Sequence, residues 1–179
     1  MTNVLLHLIL IINLSNYLSC SDMPAPETRI PQGVLRGQFL TTSNNRKISA
    51  FTAIPYAEPP VGDLRFEPPR PSSPWRGILN ASQSHPICPQ MWAVPGNSDY
   101  QGDENCLYLN VYTPQQEFDN SHHRQSRLLP VMIFIHGGSF CYGSADRSMY
   151  SPTNLLNKDI VLVIPNYRLG TYLTHFTKF

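Results

Sequence analysis

At 179 residues the chain is long enough for one domain with its own core, or for part of a larger one. A formal net charge of +1, with 14% charged residues, excludes the basic field that a nucleic-acid binder needs. The charged fraction also lies below the roughly 25% usual in soluble domains, as expected of a chain that buries much of its surface. The first element runs from Val4 to Leu14 and is almost wholly apolar. It is too short to cross a bilayer and has the length of the apolar region of a secretory signal, although no Lys or Arg precedes it. Ser19, Cys20 and Ser21 supply small residues for cleavage before Asp22, so residues 1–21 are expected to act as a signal peptide for a secreted, extracellular product.

A short polar spacer, Asp22 to Pro31, leads into Gly33–Leu40, which reads as a strand. Asn44-Asn45 marks a turn, and Lys47–Ile54 reads as the partner strand of a hairpin. Of 17 prolines, 10 fall between Pro55 and Pro95, which excludes long helices there and predicts a rigid, loop-rich segment. That segment carries a glycosylation sequon, Asn80-Ala81-Ser82. Leu107, Leu109 and Val111 then alternate with Tyr108, Asn110 and Tyr112, the period of a half-buried strand. Asp119 to Arg127 is a polar loop. Its His122-His123 pair has no third ligand near it in sequence, so it reads as a solvated loop and not as a metal site.

The apolar run Val131–Ile135 breaks abruptly into His136-Gly137-Gly138, so a buried strand is expected to end in a sharply turning loop. Such a loop can aim peptide N–H groups at an anion. Ser148 to Lys158 can hold a short helix with Pro152 in its first turn, and Ile160–Ile164 is a second continuous apolar run. Two such runs joined through a loop and a helix suit a parallel sheet covered on both faces. Among the four cysteines, Cys20 lies at the edge of the expected signal. Cys88 and Cys106 remain as a natural pair and Cys141 is odd. A bridge closing that loop in an oxidising compartment contributes roughly 3 kcal/mol by loop entropy.

Several segments together carry a family resemblance. Gly33-Val34-Leu35-Arg36-Gly37, then Phe51 and Ile54-Pro55-Tyr56-Ala57 with Pro59-Pro60-Val61-Gly62 and Leu64-Arg65-Phe66, resembles the opening of type-B carboxylesterases and cholinesterases. Trp75-Arg76-Gly77, Glu104-Asn105-Cys106-Leu107-Tyr108-Leu109-Asn110-Val111-Tyr112-Thr113-Pro114 and Pro165-Asn166-Tyr167-Arg168-Leu169-Gly170 resemble later landmarks of that family, in order. The resemblance implies an α/β fold: the N-terminal part of an α/β-hydrolase. It would hold a small N-terminal β sheet or hairpin and the first strands of the large mixed central sheet. It divides the chain into the signal (1–21), a partial type-B carboxylesterase domain (22–170) and a divergent tail (171–179), which contains His175.

The same resemblance assigns roles. Gly138 and Ser139 match positions whose N–H groups are oxyanion-hole donors, within the loop begun by His136 and Gly137. His136 matches a loop-supporting position and not the family's base. Arg65 and Glu104 resemble a structural ion pair, whereas Arg168 is left without its usual acidic partner. Trp92 lies in the loop that borders the cholinesterase gorge, but its spacing does not match the choline-binding aromatic, so it reads as an ordinary loop side chain. No cofactor and no metal are implied.

Two departures matter. Asn105 stands where the family usually has Asp, and Ser139 where it usually has Gly or Ala, a serine shared with non-catalytic adhesion members such as neuroligins. Moreover, no Gly-x-Ser-x-Gly nucleophile elbow occurs in the 179 residues; Gly137-Gly138-Ser139-Phe140-Cys141 lacks the last glycine. The expectation is therefore a truncated, inactive chain. Its full-length parent would cleave carboxylic esters by a serine acyl-enzyme, with the ester as its partner. The alternative is a fragment of an adhesion protein with a protein partner. Neither reading involves nucleic acid or a membrane span.

Overall fold

The computed structural model describes residues 24–94, 97–116, 118 and 128–173. The expected signal with Cys20, the His122-His123 loop, the side chain of Trp92 and His175 lie outside the described residues.

The expected strand Gly33–Leu40 is two strands belonging to two sheets. A small three-stranded sheet has β2 (Gly33–Arg36) at its centre, antiparallel to β1 (Glu27–Ile30) and parallel to β5 (Ile78–Asn80). After Gly37 the chain enters a five-stranded sheet as β3 (Gln38–Thr41), which pairs antiparallel with β4 (Lys47–Pro55). The break has a steric cause. A Cβ on residue 37 would collide with Ala50 O and stand 2.8 Å from the Phe51 ring, so only glycine lets the chain pass β4 this closely. The Gly37 N–H turns away to Pro26 O at 2.8 Å.

The larger sheet adds β8 (Tyr108–Thr113), β9 (Val131–Ile133) and β10 (Val161–Pro165), in the order β3-β4-β8-β10-β9. All its pairings are antiparallel except β10 with β9. The alternation read in Leu107–Tyr112 sorts two cores. Tyr112, Ile48, Ala50, Leu162 and Ile164 pack on one face with Ala145 and Leu156, all 0–1% exposed. Leu109, Val111, Phe51 and Ile54 face the other way, against Leu35, Ala81 and Trp75. Strand β4 carries a bulge between Phe51, opposite Val111, and Ile54, opposite Leu109. Ala53 sits in it at φ 56°, and its N–H, released from the ladder, donates to Asn110 Oδ1 at 3.1 Å.

Two expectations are corrected. Strand β9 is not covered on both faces: Val131, Ile133 and Ile135 are 62%, 64% and 67% exposed. It is the outer strand, and β10 is its only strand neighbour among the described residues. The region Ser148–Lys158 forms only a 3-10 turn at Leu155–Asn157, in which Lys158 N–H reaches Leu155 O at 3.0 Å. Hydroxyl and amide side chains there compete for the backbone, as Ser151 Oγ does by accepting from Thr153 N–H, so an α-helix does not nucleate. No described helix is long and apolar enough to cross a membrane.

The proline-rich stretch holds an unanticipated hairpin, β6 (Gln90–Val94) with β7 (Asn97–Gln101), inside the loop closed by the Cys88–Cys106 disulfide.

Candidate active site

Because β8 runs opposite to β9 and β10, its first residues lie at the same end of the sheet as the last residues of those two strands. Three chain segments therefore converge: Glu104–Tyr108, His136–Gly143 and Asn166–Gly170. They are joined directly. Asn166 N–H donates to Tyr108 O at 2.9 Å, Tyr167 Oη to His136 O at 2.6 Å, and Gly170 N–H to Phe140 O at 2.7 Å.

The loop after β9 has an unusual backbone. Gly138 has φ 122°, and two non-glycine residues in succession, Ser139 (φ 53°) and Phe140 (φ 60°), occupy the left-handed region. Each costs about 1–2 kcal/mol relative to ordinary backbone. A Cβ on residue 138 would collide with Tyr142 O, which explains the second glycine of the motif. Gly138 O accepts the N–H groups of Cys141 (2.9 Å) and Tyr142 (3.1 Å), closing a tight turn. By contrast, the N–H groups of Gly137, Gly138 and Ser139 donate to no acceptor among the described residues, and Gly137 and Ser139 face solvent. A turn held in strained geometry that leaves adjacent donors free is suited to an anion or a developing oxyanion.

His136 buttresses this loop. It is 2% exposed, its ring stacks on Tyr167 with centroids 4.4 Å apart, and its Nδ1 lies 2.9 Å from Gly137 O. The carbonyl can only accept, so Nδ1 carries the proton and Nε2 is a buried acceptor with no partner among the described residues. Burial pushes its pKa below the ordinary histidine value, which keeps the ring neutral. Sealed in this way, the imidazole is badly placed to take a proton from substrate.

The converging segments are fastened by two buried amides. Asn166, 1% exposed, accepts Ala145 N–H at 2.6 Å and aims Nδ2 at Pro86 O (3.1 Å) and Cys106 O (3.2 Å), with His85 Nδ1 also 3.1 Å away. Gln90 accepts Gly143 N–H at 2.8 Å and donates to Gly143 O and Cys88 O at 2.9 and 3.0 Å. The disulfide is thereby tied to the end of the oxyanion-type loop. Gln90 carried no signal in the sequence, whereas Asn166 and Tyr167 stood in a landmark whose mechanical role was not legible.

Arg65 Nε lies 2.6 Å from Glu104 Oε2; the Arg65 side chain is 43% exposed, so solvent screens most of the attraction. Arg168 is not left without partners. It is 6% exposed and Nη1 donates to Arg65 O and Glu67 O, each at 3.0 Å, bracing the proline-rich segment. Cys141 is free and exposed. The described residues hold no group of three or more His, Cys, Asp or Glu arranged for a metal ion.

The sequence matches the carboxylesterase family over residues 24–174. The chain belongs to the carboxylesterase family. It is 40% identical over 154 residues to a juvenile hormone esterase of Tribolium castaneum, a match covering 86% of this chain and 25% of that protein. It is 41% identical over 168 residues to esterase E4 of Myzus persicae, covering 93% and 29%. In three dimensions it resembles the crystal structure of juvenile hormone esterase from Manduca sexta with OTFP covalently attached. That match has a TM-score of 0.70 and 33% identity over 83% of this chain and 27% of the other. The architecture is thus the N-terminal part of an α/β-hydrolase. The chain spans between a quarter and a third of the length of these relatives.

Proposed function

We propose that this chain is the oxyanion-binding part of a secreted serine carboxylesterase. Its parent hydrolyses carboxylic esters through an acyl-enzyme, and the 179 residues alone are inactive. The observation that carries this reading is the pair of N–H groups of Gly138 and Ser139, unengaged among the described residues and held by a strained turn at the C-terminal end of β9. In the full enzyme they donate to the oxygen of the tetrahedral intermediate as its negative charge develops, and a third donor follows the nucleophilic serine. His136 and Tyr167 hold the loop and take no proton. The elbow serine, the acid and the base come from sequence outside these residues, since no Gly-x-Ser-x-Gly occurs in them. Esterase names among the relatives favour this over an adhesion role. The disulfide and the apolar run Val4–Leu14 support entry into the secretory pathway.

The purified chain is expected to give no turnover of short-chain aryl esters above background. Turnover abolished by a serine-directed organophosphate would refute the assignment of the nucleophile to other sequence. Reading the transcript past the Gly170 codon tests the parent. An elbow and a later histidine are expected there, and their absence would remove the esterase reading.

A further inference from the structure

Away from the loop that follows β9, the described residues form a second concave site. A cavity of about 430 Å³ opens between β3, the turn after β5 and the loop Asp146–Thr153, with Asn110 and Tyr112 of β8 as its floor. No residue from His136 to Gly143 lines it. Its size is that of a small-molecule site, but its lining is not the apolar one that such sites usually have. Leu40 is the one aliphatic side chain among the described residues around it.

The frame is fixed by hydrogen bonds. Gln38 Nε2 donates to Ser82 O at 3.0 Å and Thr52 Oγ1 to Gln83 O at 2.7 Å, which hold the turn after β5 against β3 and β4. On the facing wall Asp146 Oδ1 accepts Ser148 N–H at 2.7 Å, and that bond keeps its carboxyl below the ordinary carboxylate range, so it remains an anionic acceptor. Asn110 Nδ2 donates to Ala145 O at 2.8 Å and fastens the loop to the floor.

Two polar groups of the lining are left over by the fold. Arg147 is exposed and donates to no acceptor among the described residues. The Tyr112 hydroxyl is buried with no partner among them, an unfavourable state for a polar group. Burial pushes its pKa up to about 12, so it keeps its proton and can both donate and accept. The charges that act on it are Arg147 and Asp146, which places it on the cavity side of the sheet. These two charges cancel, and His85 is the other lining group that titrates near neutrality, so no net field draws in a free ion. Donors and acceptors set side by side suit a ligand whose own groups do both, and that group is the hydroxyl.

We propose that this cavity binds a neutral polyhydroxylated molecule of about monosaccharide size, with Asp146 as acceptor, Arg147 as donor and the Tyr112 hydroxyl at its inner end. The inference is independent of the esterase reading.

The test is saturation-transfer NMR on the full chain. D-glucose, D-galactose and myo-inositol are the neutral probes, and sodium acetate and tetramethylammonium chloride the charged ones. Polyols also stabilise proteins by exclusion from their surface, an effect without saturation, so only a saturable signal counts. At least one neutral probe is expected to give such a signal, and Arg147→Met and Ser148→Trp are each expected to abolish it. Both residues are exposed, so the urea midpoints of these variants should match the native chain. Tyr112→Phe is expected to weaken binding several-fold while the midpoint of the free chain holds or rises, since the hydroxyl it removes is unpaired. No saturable signal from any neutral probe would overturn the site. A signal that survives both Arg147→Met and Ser148→Trp would put the binding elsewhere and overturn the assignment. Saturation by acetate or tetramethylammonium alone would overturn the neutral class. Equal affinity in Tyr112→Phe would overturn the part given to its hydroxyl.

Discussion

Replacing Asn166 by leucine removes the buried amide that joins three segments of the site while nearly keeping its volume. The Ala145 N–H, fully buried, has Asn166 Oδ1 as its acceptor and would be left unsatisfied, at about 1–3 kcal/mol. The bonds to Pro86 O and Cys106 O would also go, each worth about 1 kcal/mol net. Neither carbonyl is stranded, since Pro86 is exposed and Cys106 O also accepts Tyr108 N–H. The sum is about 3–5 kcal/mol, a large share of the roughly 5–15 kcal/mol that holds an ordinary domain together. Urea unfolding followed by tryptophan fluorescence is the assay; the midpoint is expected to fall with an unchanged slope. Asn166→Asp is the informative companion. It keeps the acceptor for Ala145 N–H but turns a carboxylate oxygen toward two carbonyls, which raises its folded pKa above the unfolded value. This variant should therefore gain stability as the pH falls through the raised pKa. A loss below about 1 kcal/mol for Asn166→Leu would show that the amide is a bystander.

Three further outcomes are expected. His136 is neutral in the fold because burial lowers its pKa, so its contribution to stability is complete above the unfolded value of about 6.5 and declines as the pH falls below it; subtracting the pH profile of His136→Phe from that of the native chain should isolate this decline, and superimposable profiles would refute it. Reduction of Cys88–Cys106, which closes a loop of 18 residues, should cost about 3 kcal/mol in the urea midpoint; before reduction an alkylating reagent should label Cys141 alone among these three, and early labelling of the pair would disprove the bridge. Ser139→Gly relieves one left-handed residue and is expected to stabilise the chain by about 1 kcal/mol, an unchanged midpoint showing that the loop holds no such strain.

The parts of the fold read directly from the sequence are those in which side-chain period meets a buried surface. The alternation of Leu109 and Val111 with Asn110 and Tyr112 has its counterpart in the two faces of β8. The run Ile160–Ile164 could be read as a strand because β10 has neighbours on both edges. Legibility failed where a contact distant in sequence decides the outcome. Gly37 looks like any residue within a strand until β4 passes beside it, and Gln90 is an ordinary polar residue until Gly143 is brought to its amide. The exposure of Val131 and Ile133 could not follow from their composition, which is that of a covered strand. In the site, the glycines pointed to a turn. That Ser139 and Phe140 share its left-handed backbone is a property of the folded loop alone.

The reversal of strand direction between β8 and its neighbours also segregates tolerance from precision. Thr113, at the close of β8, and Val131, at the opening of β9, both lie at the end of the sheet remote from the His136–Gly143 loop; Val161 N–H donates to Pro130 O at 2.9 Å there. The connection from residue 114 to residue 130 thus departs and returns far from the residues that would meet an ester oxygen. Insertions in that connection beyond Phe118, which packs on Phe51, are expected to leave Gly138 and Ser139 in place. One inserted residue between His136 and Gly143, in contrast, would break the register that Gln90 and Tyr167 impose. One end of the sheet is thus expected to tolerate change and the other to resist it, and the polarity of a single strand decides which is which.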